Sequence, residues 1–181
     1  DLKHRYPNVK VSCIVLDLPE YFGDNTSFLY RVYGKVTTNR IYTLVPEVDS
    51  FIILTEYMKD KLNVGTRPWC LLEGVYTPIE VASQKKRKKT ILYTGKLDAR
   101  FGIRDLIEAF KRIDDEEFSL WICGLGLDQA FVEDAVKIDS RIKYWGFVEQ
   151  KRIFEMQREA TLLVNPRNGG AEYTKYSFPS K

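Results

Sequence analysis

The chain has 181 residues, 44% apolar and 29% charged, and its 28 Lys and Arg against 25 Asp and Glu leave a net charge of +3. That is the composition of a folded chain of one domain or a little more, and it excludes collagen-like, low-complexity and wholly disordered classes. The cationic surplus is too small to argue for a nucleic-acid partner, and the longest apolar runs, such as Phe51 to Leu54, are too short to cross a bilayer.

The predicted elements alternate. Val9 to Leu16 reads as a strand, and Ser27 to Val45 as a helix with apolar residues at helical spacing. Phe51 to Leu54 reads as a strand, Thr55 as the N-cap of a helix running to Leu62, and Trp69 to Leu72 as a further strand. The polar, aperiodic stretch that contains Lys85-Lys86-Arg87-Lys88-Lys89 reads as a linker, its cations solvated. Beyond it, strands are predicted near 90–94, 118–123, 142–145 and 161–164. Helices fall between them near 103–113, 127–138 and 150–160. Ile103, Leu106, Ile107, Phe110 and Ile113 follow the amphipathic template most clearly. Strands separated by single helices imply parallel βαβ units and a Rossmann-like, doubly wound α/β sheet.

Composition also bounds the chemistry. Cys13, Cys70 and Cys123 form no CxxC pair and each sits in an apolar stretch, so they read as reduced, buried thiols of a cytoplasmic protein. His4 is the single histidine, which leaves no His-based metal site or triad within the chain. Asp114-Asp115 reads as a solvated helix end, not a metal motif. Strand-end glycines recur at Gly95, at Gly124 and Gly126, and at Gly146, where ligands of open α/β sheets bind. Gly124-Leu125-Gly126 is half of a dinucleotide fingerprint, with Gln129 in the third glycine's place. Lys96 and Arg100 flank the Gly95 turn just before a helix, an arrangement suited to phosphate. Near the end, hydroxyls and cations from Asn165 to Lys181 feed a helix start at Pro179, a second anion-binding design.

The order of these segments resembles the family-4 retaining glycosyltransferases, whose GT-B fold has two facing Rossmann-like domains. Asp49 to Met58 and Cys70 to Val75 are similar to the end of the acceptor domain and its crossover. Ile91-Leu92-Tyr93-Thr94-Gly95-Lys96-Leu97, with Gly102 and Leu106 to Phe110, resembles the opening of the donor domain. Leu120 to Gly126, Ile142 to Val148 and Tyr176 to Lys181 (YSFPSK) resemble its later segments. The resemblance divides the chain into an acceptor-domain end at 1–74, a linker at 75–89 and a donor-binding domain at 90–181. It makes the fold incomplete at both ends, with Asp1 and Lys181 as cuts through a longer protein.

What the resemblance implies is transfer of a sugar from a nucleotide-diphosphate donor with retention at the anomeric carbon, in bacterial surface-polysaccharide or glycoconjugate synthesis. Lys96 matches the catalytic cation on the diphosphate. Phe101 stands where the family's second basic residue sits, with Arg100 one position earlier. Phe147 and Val148 match the lining of the nucleobase pocket, and Tyr176 stands in place of a glutamate. Donor binding is thus expected of Gly95, Lys96, Arg100, Phe147, Val148, Tyr176, Ser177, Phe178, Ser180 and Lys181. The acceptor is expected to be a sugar or lipid-linked species, with no cofactor and no metal. Peripheral membrane association and a homo-oligomer are both compatible with the sequence. Two other classes stay open: a non-catalytic nucleotide-sugar binding module, and a GT-B sugar-nucleotide epimerase.

Overall fold

The computed structural model describes residues 2–21, 28–74, 89–167, 170 and 172–177. The chain divides into two compact units, Asp1–Thr77 with Gly170–Ser180 and Pro78–Gly169 with Lys181.

The first unit contains α1 (Leu2–Arg5), β1 (Ser12–Val15), α2 (Phe28–Leu44), β2 (Ser50–Ile53), α3 (Met58–Lys61) and β3 (Trp69–Leu71). The strands form a parallel sheet in the order β1-β2-β3. Alternation along each strand sends Val15, Phe51 and Ile53 into a core shared with Leu18, Val45, Met58, Leu62 and Val64. The opposite face carries Ile14, Ile52 and Cys70 in one register row. There Ile14 is 61% exposed and Cys70 is exposed. The expectation of three buried thiols therefore fails: only Cys123 is buried, and Cys13 is half-buried. Hydropathy of a short strand is the same for both faces, whereas only one face here meets a core.

Thr55 is not a cap. Its carbonyl accepts the Met58 N–H at 3.1 Å, the N-cap is Tyr57, and α3 is one turn long. A 3₁₀ turn, Glu172–Tyr176, packs on this first unit, although the sequence reading grouped it with residues from 90 onward. Tyr176 stacks on Tyr21 with centroids 6.1 Å apart, and Tyr173 meets Tyr21 edge-on at 6.4 Å. Lys61 binds Glu172 at 3.1 Å and lies 5.4 Å from the Tyr176 ring centre.

The second unit runs β4 (Thr90–Thr94), α4 (Ile103–Phe110), β5 (Ser119–Cys123), α5 (Gln129–Ile138), β6 (Ile142–Tyr144), α6 (Gln150–Glu159) and β7 (Leu162–Leu163). All pairings are parallel, in the order β6-β5-β4-β7. β4 and β5 are buried on both faces, as their unbroken apolar runs require. Ile91, Tyr93, Leu120 and Ile122 face one way, into a core built with Ile103, Ile107 and Phe110 of α4 and Val132 and Ala135 of α5. Leu92, Trp121 and Cys123 face the other way, against Met156 of α6 and Ala160. The strand order explains this division. Right-handed crossovers step from β4 to β5 to β6 in one direction, and the return to β7 runs in the other. Right-handedness then puts α6 on the opposite face from α4 and α5. Lys89, counted with the linker by sequence, is fastened here: its amine binds Asp115 at 2.7 Å and Glu117 at 2.8 Å. Asp115 is thus an ion-pair partner, not a solvated end.

Candidate functional site

The strand order reverses beside β4. β5 and β6 lie to one side of it, and β7 lies to the other. In open parallel sheets the crevice for a ligand lies at the carboxyl ends of the strands at such a switch point. Here that position is bounded by the turn after β4, Gly95 to Asp98, and by Asn165 to Arg167 after β7. Gly102, which opens α4 with φ 78°, lies close against the segment after β7. A Cβ on Gly102 would sit 1.9 Å from the Pro166 carbonyl oxygen. The Phe101 ring is flanked by two guanidinium groups, Arg100 at 5.8 Å and Arg167 at 5.5 Å from its centre.

The turn after β5 holds the other side. Gly124 has φ 137°, and a Cβ there would lie 1.7 Å from the Gly95 carbonyl oxygen, so only glycine lets the two turns touch. Backbone bonds stitch them together. Gly95 N–H donates to the Cys123 carbonyl at 3.0 Å, Leu97 N–H to the Leu125 carbonyl at 2.9 Å, and Asp128 N–H to the Leu97 carbonyl at 2.9 Å. On the far side, Gly124 N–H donates to the Gly146 carbonyl at 2.8 Å, and the Tyr144 hydroxyl donates to the Gly124 carbonyl at 2.9 Å. Three strand-end glycine turns are therefore one connected surface, with Lys96 half-buried at its β4 end.

The two cations predicted for phosphate fare differently. Arg100 is engaged by Asp98: its Nε lies 3.0 and 3.1 Å from the two carboxylate oxygens and its Nη2 lies 2.6 Å from Oδ2. Asp98 is 5% exposed, and its Oδ1 also accepts the Arg100 N–H at 3.0 Å, capping the short turn before α4. Those Arg100 hydrogen bonds hold the Asp98 carboxyl at about 2, well below the usual range. Arg100 thus stands with much of its charge answered within two residues. The sequence reads Arg100 as a phosphate cation and gives Asp98 no role. A second pair, Arg104 of α4 with Asp128 just before α5, joins the two helices, and Asp128 is 6% exposed. An aspartate two residues before an arginine in a strand-to-helix turn is the signal that could have found the first pair.

The other expected site residues divide by unit. Val148 packs against the Leu92 and Trp121 core, and Phe147 beside it is 76% exposed. Trp145, on the same turn, meets Trp121 edge-on at 5.7 Å. Gly95, Lys96, Arg100, Phe147 and Val148 all follow strands of the second sheet. Tyr176 and Ser177 belong to the first unit. Phe178, Ser180 and Lys181, with the helix start expected at Pro179, lie outside the described residues. Among the described residues no three His, Cys, Asp or Glu side chains converge as metal ligands, and no helix is long and apolar enough to cross a membrane.

The chain is similar in structure to TarM, which has also been solved as an S. aureus variant in complex with UDP. For TarM the TM-score is 0.63 at 13% identity, covering 86% of this chain and 31% of that one. It is similar to the pneumococcal O-GlcNAc transferase GtfA in complex with UDP and GlcNAc, with TM-score 0.56, 17% identity and coverage of 85% and 32%. It is similar to Anabaena Alr3699/HepE in complex with UDP, with TM-score 0.57, 11% identity and coverage of 91% and 48%. The chain therefore spans about a third to a half of the length of these structures. No curated protein sequence matches it significantly. The shared architecture is the parallel-sheet α/β arrangement of GT-B glycosyltransferases. Residues 78–171, just over half of the chain, match the family described as Glycosyl transferases group 1, and the chain belongs to that family.

Proposed function

We propose that the second unit binds a nucleotide-diphosphate sugar for a glycosyltransferase that passes the sugar to an acceptor with retention at the anomeric carbon. The observation that carries this reading is the position of Lys96. It is a cation on a glycine turn at the carboxyl end of β4, where the strand order reverses and α4 begins. Departure of the diphosphate develops negative charge. The Lys96 ammonium group, the first amides of α4 and a turn surface already held by backbone hydrogen bonds meet that charge. Uridine nucleotides in the similar structures favour a UDP-sugar donor. Exposed Phe147 and half-buried Val148 are suited to the base. A sugar or lipid-linked acceptor in glycoconjugate synthesis, on the cytoplasmic side of the membrane, rests on the family-4 resemblance. So does a role for Tyr176 to Lys181.

The test is calorimetric titration of UDP. Lys96→Ala should weaken binding about ten- to a hundredfold, the value of one charge-assisted contact. Lys137→Ala removes the same charge at the far end of α5, at the opposite edge of the sheet, and should leave affinity unchanged. Equal effects of the two variants would overturn the site. A binding module without turnover is the second reading, favoured by Arg100 being engaged by Asp98. A labelled UDP-sugar that binds but yields neither a glycoside nor free sugar would decide for it.

A further inference from the structure

We infer that Tyr93 is a positioning residue for Lys96, acting through its phenol hydroxyl, an inference that rests on the donor-site reading above. Tyr93 lies on β4, 3% exposed, with its ring in the core beside α4 and α5. Its hydroxyl donates a 2.8 Å hydrogen bond to the main-chain carbonyl of Lys96. The bond needs an empty place above the ring: a Cβ on Gly95 would lie 2.8 Å from the Tyr93 hydroxyl oxygen and 3.0 Å from Cζ. The segment Tyr93-Thr94-Gly95-Lys96 is therefore one device. The glycine leaves room for the phenol to fold back under the turn and hold the lysine's backbone.

The turn is restrained at each neighbouring residue. Gly95 N–H is bound to the Cys123 carbonyl, and Leu97 uses both its N–H and its carbonyl on the turn after β5. The Lys96 carbonyl is met by the Asp98 N–H at 3.1 Å and by the Tyr93 hydroxyl. The tyrosine bond reaches the Lys96 carbonyl from the core side of the sheet. It ties the lysine's backbone to a side chain locked by packing, the condition for a functional group held to within a fraction of an ångström. A phenylalanine would fill the same space in the core, so the hydroxyl's contribution is to the turn.

The prediction is a specific loss. Tyr93→Phe should fold and should weaken UDP binding about two- to tenfold, the range of one neutral hydrogen bond. UMP binding should be nearly unaffected, because UMP lacks the second phosphate that Lys96 meets. The effect must also vanish when Lys96 is gone: the double variant Tyr93→Phe/Lys96→Ala should bind UDP as Lys96→Ala does. Gly95→Ala, whose Cβ would lie 2.8 Å from the phenol oxygen, should weaken UDP binding at least as much as Tyr93→Phe. Three results would overturn the inference: equal losses for UMP and UDP, additive losses in the double variant, or no loss from Tyr93→Phe while Lys96→Ala remains weak. If Lys96→Ala itself binds UDP normally, the donor-site reading fails first and this inference with it.

Discussion

The Asp98–Arg100 pair decides how much positive charge the turn after β4 presents. Asp98 is nearly buried, and its carboxylate contacts the guanidinium with both oxygens. The pair is part of the turn's structure as well, because the same carboxylate accepts the Arg100 N–H. Its sign in a pH titration follows from the direction of the shift. The folded-state carboxyl lies near 2, below its unfolded value, so its contribution is complete above about pH 4. It is lost as pH falls from about 4 towards 2. Asp98→Asn keeps an oxygen for the cap but removes the charge. The variant should be less stable than the parent at pH 6, and its urea midpoint should fall less between pH 4 and 2.5. A residual slope is expected, since Asp49, Asp115, Asp139 and Glu155 are also held low by Lys or Arg neighbours. Parallel pH curves for parent and variant would count against the assignment.

At the scale of elements, the two sheets differ in how many faces they cover. β4 and β5 have helices on both sides, and β1 to β3 have a core on one side with Ile14 and Cys70 open on the other. The cysteines report this directly. Cys123 is enclosed by Met156 and the α6 face, and burial pushes its thiol up to about 11. Cys70 stands on the open face. An aromatic disulfide reagent at pH 8 should therefore titrate Cys70 within the mixing time of a manual assay and Cys13 more slowly. Cys123 should react only after denaturant is added. Cys70→Ser should delete the fast phase alone. A fast phase that survives that substitution would show that the face of β3 is not the open one.

At the scale of the whole molecule, each unit has its own core, and the cores are built to different depth. In the second unit Leu97, Ile103, Ile107, Leu120, Ile122 and Val132 have no exposure at all. Local opening free energy follows such burial, so amides of β4 and β5 should be the slowest to exchange. Amides of β1 and β2 should exchange faster, by an order of magnitude or more. Hydrogen exchange read by mass spectrometry would test this. Equal protection of 50–53 and 119–123 would mean that the open face of the first sheet is covered in solution.

Much of this architecture was legible in the amino-acid sequence because its determinants are local. The 3.6-residue stripe of Ile103, Ile107 and Phe110 and the unbroken apolar run of β4 each follow from a few neighbouring residues. Strands separated by single helices then leave only a parallel, doubly wound arrangement. The glycine turns at Gly95, Gly124 and Gly146 were visible for the same reason. Other features depend on which distant residues meet. Thr55 looked like a cap, yet the chain continues one turn further before α3 starts. Cys70 looked buried, because apolar neighbours do not say which face of a strand finds a core. Arg100 reads as a phosphate ligand in sequence, and its ion pair with Asp98 is set by the turn's backbone. The bond from the Tyr93 phenol to the Lys96 carbonyl exists only because the turn folds back over Gly95. Periodicity and turn chemistry are properties of adjacent residues and determine the elements. Charge pairing, strand-face exposure and side-chain-to-backbone bonds are decided by three-dimensional proximity, which tertiary packing alone supplies.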